Sequence, residues 1–207
     1  MSMRLRAAAI VPLLALAGCG ILPDKETIAM YSPMPTVAAD PAWPQVAWQL
    51  QVSRPTADSA IDSGRISVRP VPGEIQVYKG ARWAQPVSEI VHRTLVRAFE
   101  DSGRIRGVSP RNGDGIAADY TLVTDVRRFD ADYAGAATPT VHVEVMAKLV
   151  PTRDNQVAAS QLFSAQVPAN ATDVASVTRA FEDALGQVGG QVVGWTLREG
   201  NRDAARR

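Results

Sequence analysis

Thr140-Val141-His142-Val143-Glu144-Val145-Met146-Ala147-Lys148-Leu149-Val150 carries the clearest pattern in the chain. Val141, Val143, Val145, Ala147 and Leu149 fall on one side, and His142, Glu144 and Lys148 on the other. That period of two is what a strand with one buried face requires, and a helix would scatter the same residues around its axis. Tyr120 to Phe129 and Val157 to Val167 flank it as further strands. Asp130 to Pro139 and Thr152 to Asn155 lie between them and read as hairpin connections. The region is thus predicted to be a meander of three long antiparallel strands. Shorter strand patterns occur at Trp48 to Val52, Arg65 to Arg69, Glu74 to Tyr78 and Arg104 to Ser109.

Two helical patterns interrupt the strands. One starts at Pro86, a residue suited to a first helical position, and ends near Gly103, a good C-terminal cap. Val87, Val91, Leu95 and Ala98 share a face opposite Glu89, Arg93 and Glu100, and Glu89 precedes Arg93 in the favourable i, i+4 order. The other runs from about Asp173 to Leu197, with Thr172 as its expected N-cap. Val174, Val177, Phe181, Leu185, Val188, Val192 and Trp195 recur at steps of three and four, the mark of a core-facing stripe. Two amphipathic helices on a mostly antiparallel sheet give a two-layer α+β domain. Its expected span is residues 46–197, with 198–207 as a flexible tail.

Gly186, Gly190 and Gly194 form a second stripe on the last helix, opposite Phe181, Leu185, Val192 and Trp195. Glycine inside a helix costs ~1 kcal/mol relative to alanine, so three on one face need a reason. Small residues at this spacing permit close backbone approach. The helix either packs into the domain on two sides, or frays near its end, or offers the stripe to a neighbouring subunit or partner helix. Glu182, Asp183, Gln187 and Gln191 exclude a membrane span.

The N-terminus has its own chemistry. Arg4 and Arg6 form a basic start, and Ala7 to Ala17 an apolar run interrupted by Pro12. The run is shorter than the ~20 residues a spanning helix needs and has the layout of a secretory signal. Leu16-Ala17-Gly18-Cys19 matches a bacterial lipobox, in which small residues fit the protease cleft and the next thiol takes a diacylglyceryl thioether. Residues 1–18 therefore read as a signal peptide and Cys19 as a lipidated membrane anchor, with several acyl chains because one anchors only marginally. Cys19 is the only cysteine, so no disulfide is possible. Pro23, Pro33, Pro35, Pro41 and Pro44 make residues 19–45 an expected extended tether. Loss of Arg4 and Arg6 moves the net charge from +1 to about −1, which argues against a nucleic-acid partner.

No catalytic constellation emerges. His92 falls on the polar side of a helix and His142 on the wet face of a strand, neither with a second ligand at metal spacing. Asp130 and Asp132 read as solvated turn residues beside Gly135, and Asn112-Gly113-Asp114-Gly115 as a turn without the helix start of a phosphate loop. Trp48, Trp83 and Trp195 read as core anchors, leaving Trp43 as the tryptophan placed to meet a partner. An enzyme is not expected, nor any cofactor or metal beyond the lipid on Cys19.

The ordered motifs carry a resemblance. After the lipobox come Tyr31-Ser32-Pro33, then Leu50-Gln51-Val52-Ser53-Arg54-Pro55 and Ile61-Asp62-Ser63-Gly64-Arg65-Ile66-Ser67-Val68-Arg69. Tyr78 and Trp83-Ala84-Gln85-Pro86 follow, and the closing helix ends at Trp195. This layout resembles the ABC-type transport auxiliary lipoproteins, the PqiC/YmbA-like group, over nearly the whole chain. It departs at Ser32, where relatives tend to carry leucine before the proline. The resemblance implies a non-catalytic part of a lipid-trafficking system, working with an MCE-domain protein and an inner-membrane ABC-type transporter. It also suits ring-like self-association, for which the Gly186/Gly190/Gly194 face is the candidate surface. Gly20 is not the aspartate that commonly retains lipoproteins at the inner membrane, which favours the outer one. A structural or assembly lipoprotein of another envelope machine is the second reading, and a small hydrolase the third.

Overall fold

The structure, a computed structural model, describes residues 27–110, 115 and 117–206; the lipobox, Cys19 and the turn at residues 112–114 lie outside the described residues. Three long strands form the expected meander: β7 (Tyr120–Asp132), β8 (Thr140–Pro151) and β9 (Ala159–Pro168) pair antiparallel in sequence order. Val141, Val143, Val145, Ala147 and Leu149 are fully buried, as their alternation requires.

The other edge of β7 is shared by three short strands laid end to end. These are β2 (Leu50–Val52), β3 (Thr56–Ala57) and β4 (Arg65–Arg69). Leu50 pairs with Tyr120, Thr56 with Asp125 and Val68 with Ala131, all parallel. β5 (Gln76–Trp83) returns antiparallel beside β4, and β1 (Ala29–Tyr31) runs parallel along β5. β6, only Val108–Ser109, adds to β2. The sheet is therefore mixed: its long ladders are antiparallel, and its parallel contacts come from strands of two to five residues.

Two helices, α1 (Val87–Asp101) and α2 (Val174–Ala205), cover one face of this sheet. Trp83, Phe129 and Phe181 join sheet to helix, with Phe129 and Phe181 stacked at 4.6 Å and Trp83 edge-on to both. The α2 stripe is buried as expected, from Val177 to Trp195. The fold is two-layer α+β.

Against the sequence reading, β5 runs on to Trp83, β6 is only Val108–Ser109, and β1 and β3 are additional strands. Three further boundaries change the packing. The N-cap of α2 is Asp173, not Thr172; its carboxylate accepts from Ser176 N–H at 2.9 Å. The helix does not end at Leu197 but continues to Ala205, held by Tyr120, whose hydroxyl donates to Gly200 O and Asp203. Strand β7 runs on to Asp132, because a bulge at Arg127 resets its alternation and lets Phe129 and Ala131 keep facing the core.

Candidate functional site

Residues 29–45 are not a free tether. After β1 the chain crosses onto α2, where Met34 N–H donates to Glu182 and Thr36 O lies over Gly186. Val37 follows against Gly189 and Gly190, Trp43 against Gly194 and Trp48 against Gly200. A Cβ added at Gly186 would stand 2.7 Å from Thr36 O, and one at Gly194 2.5 Å from Trp43 Nε1. The glycines thus let the chain's own N-terminal segment lie on the helix backbone. Trp43 is 6% exposed, so it is a core anchor and not a surface for a partner. The stripe is thus partly covered by its own chain, at Gly186 and most closely at Gly194. All three glycines also line an open groove of about 750 Å³ whose mixed walls include Asp40, Glu182, Gln187 and Arg198.

The wet face of the sheet holds a second assembly. Beyond the bulge, Arg128, Asp130 and Asp132 alternate onto that face. Asp130 is 4% exposed and is not a solvated turn residue. Its Oδ2 accepts from Arg69 Nε at 3.0 Å and its Oδ1 from Arg128 Nη2 at 3.1 Å. Arg128 also reaches Asp132. Burial raises the Asp132 pKa, but the Arg128 hydrogen bond and Ala134 N–H outweigh it and hold the carboxyl below its usual range. Two guanidiniums against two carboxylates neutralise the cluster. Both carboxylates are thus engaged in ion pairs with Arg69 and Arg128. His142 lies opposite Asp130 in the ladder, its Nδ1 buried without a hydrogen-bond partner. Burial, and next Arg128, push its pKa below the usual histidine value.

His92 is also not where its helix pattern put it. It is buried, with Nε2 3.0 Å from Val52 O, because α1 is enclosed on that side by the end of β2. Among the described residues no group of three or more His, Cys, Asp or Glu side chains is placed to hold a metal ion. None of their helices is long and apolar enough to cross a membrane.

Comparison with known proteins decides the family. The model of the ABC-type transport auxiliary lipoprotein component matches residues 29–193, from β1 to well inside α2. The chain belongs to this family. It is similar to protein XCC0632 from Xanthomonas campestris, of family DUF330, at 50% identity, covering 86% of this chain and 99% of that one with a TM-score of 0.82. An uncharacterized protein of solved structure shares the fold at 14% identity, covering 73% of this chain and 94% of that one with a TM-score of 0.57. No curated protein matched.

In this auxiliary lipoprotein the motifs that carried the resemblance are joints of the fold. Pro86 gives α1 no side-chain cap. Asp62 supplies one from outside: its Oδ1 accepts from Ser88 N–H at 2.8 Å and its Oδ2 from the Ser88 hydroxyl at 3.0 Å. Trp83 N–H donates to Gly64 O, and Ala84 N–H to Tyr31 O, so three separated motifs meet at the entrance to α1. Gly64 takes a φ of +64°, in the left-handed region that suits glycine. Sequence reasoning missed Asp62 as a cap because its partner lies 26 residues away.

Proposed function

We propose that this auxiliary lipoprotein is a membrane-anchored periplasmic part of an MCE/ABC-type lipid transport system, docking the periplasmic transport assembly at the outer membrane. The single observation carrying this reading is the family match, which spans β1 through most of α2 and so takes in almost the entire fold. The family is a transport component, and the chain's charged clusters are spent on its own architecture. Gly20 after the lipidated Cys19 supports the outer membrane.

The packed N-terminal segment changes how the anchor works. Ala29 already belongs to the sheet, ten residues after Cys19. At most ~3.6 Å per residue, that linker reaches about 36 Å. The domain is therefore kept close to its lipid, and the partner must come to it. Because residues 36–43 cover the stripe at Gly186 and Gly194, self-association there would go through the open groove along Gly190.

The test is isolation of the full lipidated chain from membranes, with its companions identified by mass spectrometry. Recovery of an MCE-domain protein and an inner-membrane transporter is the expected result. Partners from a secretion or cell-wall machine in their place would overturn the transport reading. Cys19→Ala should release the chain from the membrane fraction, and recovery of the wild type with inner membranes would overturn the outer-membrane assignment.

A further inference from the structure

We propose that the β4–β5 end of the domain rests on the bilayer that carries the Cys19 lipid, with Val71 and Ile75 of the hairpin tip touching the lipid surface. The inference rests on the anchor reading above and adds an orientation to it.

Three turns crowd this end of the sheet. Arg69 pairs with Asp132, so the β4–β5 turn (residues 70–75) and the β7–β8 turn (residues 133–139) lie side by side. Thr140 pairs with Pro168, which brings in the β9–α2 turn (residues 169–173). With Asp173, the N-cap that ends the third turn, Glu74 makes two charged residues in the turns at this end. Val71 is 48% and Ile75 51% exposed, and Val77 follows on the outward face of β5. Lys79, exposed and two residues further on that face, can meet lipid phosphates. The far end of the sheet carries more charge: Arg153 and Asp154 sit in the β8–β9 turn with the exposed Val157, and Arg198, Glu199, Arg202 and Asp203 close α2 beside it.

The path of the chain selects the bilayer as occupant. β1 runs parallel to β5, with Ala29 opposite Ala81. β5 starts at the hairpin tip, so the chain enters β1 from the direction of that tip. Ala81 is five residues from Gln76. Covering that distance takes about 17 Å of the linker at ~3.4 Å per residue, and leaves about 19 Å between the tip and Cys19. A lipid on so short a leash, leaving from the sparsely charged end, keeps Val71 and Ile75 within reach of the surface. A densely charged end would resist that approach.

The experiment uses the full lipidated chain carrying Val71→Cys, whose thiol is the one available for labelling once the Cys19 sulfur is in its thioether. A polarity-sensitive fluorophore is attached, and the protein is reconstituted in vesicles of phosphatidylethanolamine and phosphatidylglycerol containing nitroxide-labelled lipid. Ile75→Cys repeats the measurement at the second contact, and Gln156→Cys reports the charged end. The expected result is a blue shift and several-fold stronger quenching at positions 71 and 75 than at 156. Equal quenching at both ends of protein that floats with the vesicles would overturn the orientation alone. A blue shift without quenching would mean that another protein or a second copy covers the tip, and would also overturn it. Failure of the chain to float at all would overturn the anchor reading and this inference together.

Discussion

Alanine at Gly194 and alanine at Gly190 should move stability in opposite directions, although both sit on the same face of the same helix. Each substitution gains up to ~1 kcal/mol of helix propensity. At 190 the new Cβ meets Val37 Cγ1 at 3.7 Å, an ordinary contact, so that gain is kept. At 194 it would stand 2.5 Å from Trp43 Nε1 and 3.1 Å from Trp43 Cδ1, and a buried indole cannot fold aside. A tryptophan covers ~200 Å², worth roughly 5 kcal/mol at ~25 cal/mol per Å². Losing between half and all of that, less the propensity gain, leaves Gly194→Ala about 1.5–4 kcal/mol less stable. In a domain of this size the midpoint should fall by about 3–12 °C, while Gly190→Ala should rise by about 2–3 °C. Thermal unfolding followed by circular dichroism measures both, and tryptophan emission should shift to the red in Gly194→Ala alone. If Gly194→Ala melts at or above the wild type, the N-terminal segment does not lie on α2 as described.

Other outcomes follow from the joints and the ion cluster. Asp62→Ala removes the only side-chain cap of α1 and should cost about 1–2 kcal/mol in urea unfolding, with Asp62→Asn recovering most of it. Asp130→Asn leaves Arg69 and Arg128 without their buried counter-charge. Breaking a buried pair costs ~3–5 kcal/mol, and because both arginines are partly exposed the expected loss is about 2–3 kcal/mol. A loss under about 0.5 kcal/mol would show that the cluster is screened like a surface pair. His142 has a folded pKa below its unfolded value, so its neutral form is the one that fits. Its contribution is fully present above about pH 6.5 and is lost as pH falls through the lower folded value. Urea midpoints of the wild type should therefore drop between pH 7.5 and 5.5 more than those of His142→Gln; equal drops would remove His142 as the cause.

The long strand β8 and both helices were legible because each repeats one period over ten or more residues, whereas β7 holds its alternation only as far as Val126. Local patterns could not show what depends on two distant segments. The glycine stripe and the proline-rich residues 29–45 each looked unpartnered, and each is the other's partner. Val37 and Trp43, large apolar residues in the stretch taken for a tether, were the available signal. Asp130 and Asp132 looked like turn residues because the bulge at Arg127 breaks the alternation just before them. His92 looked exposed because one stripe was taken as the whole buried face of α1, which is closed on two sides. The helix end was placed too early because the Arg-rich residues from Arg198 read as a flexible tail, while in the fold Gly200 makes room for Trp48. The family was legible for a different reason: its motifs keep their order even though each serves the architecture.

The end-to-end row of β2, β3 and β4 along one edge of β7 has a consequence for how the protein is made. All three emerge at least fifty residues before the strand they pair with. The segment over the glycine stripe emerges earlier still, and its seat is on the last helix. A chain delivered N-terminus first therefore stays open until its final residues arrive, since the closing contacts are the most distant in sequence. Signal removal and acylation would act on a chain that has not yet closed, leaving Cys19 accessible. A ribosome that stops short of α2 would leave the first half with no native way to cover its apolar face, and such remnants are expected to be cleared by proteases.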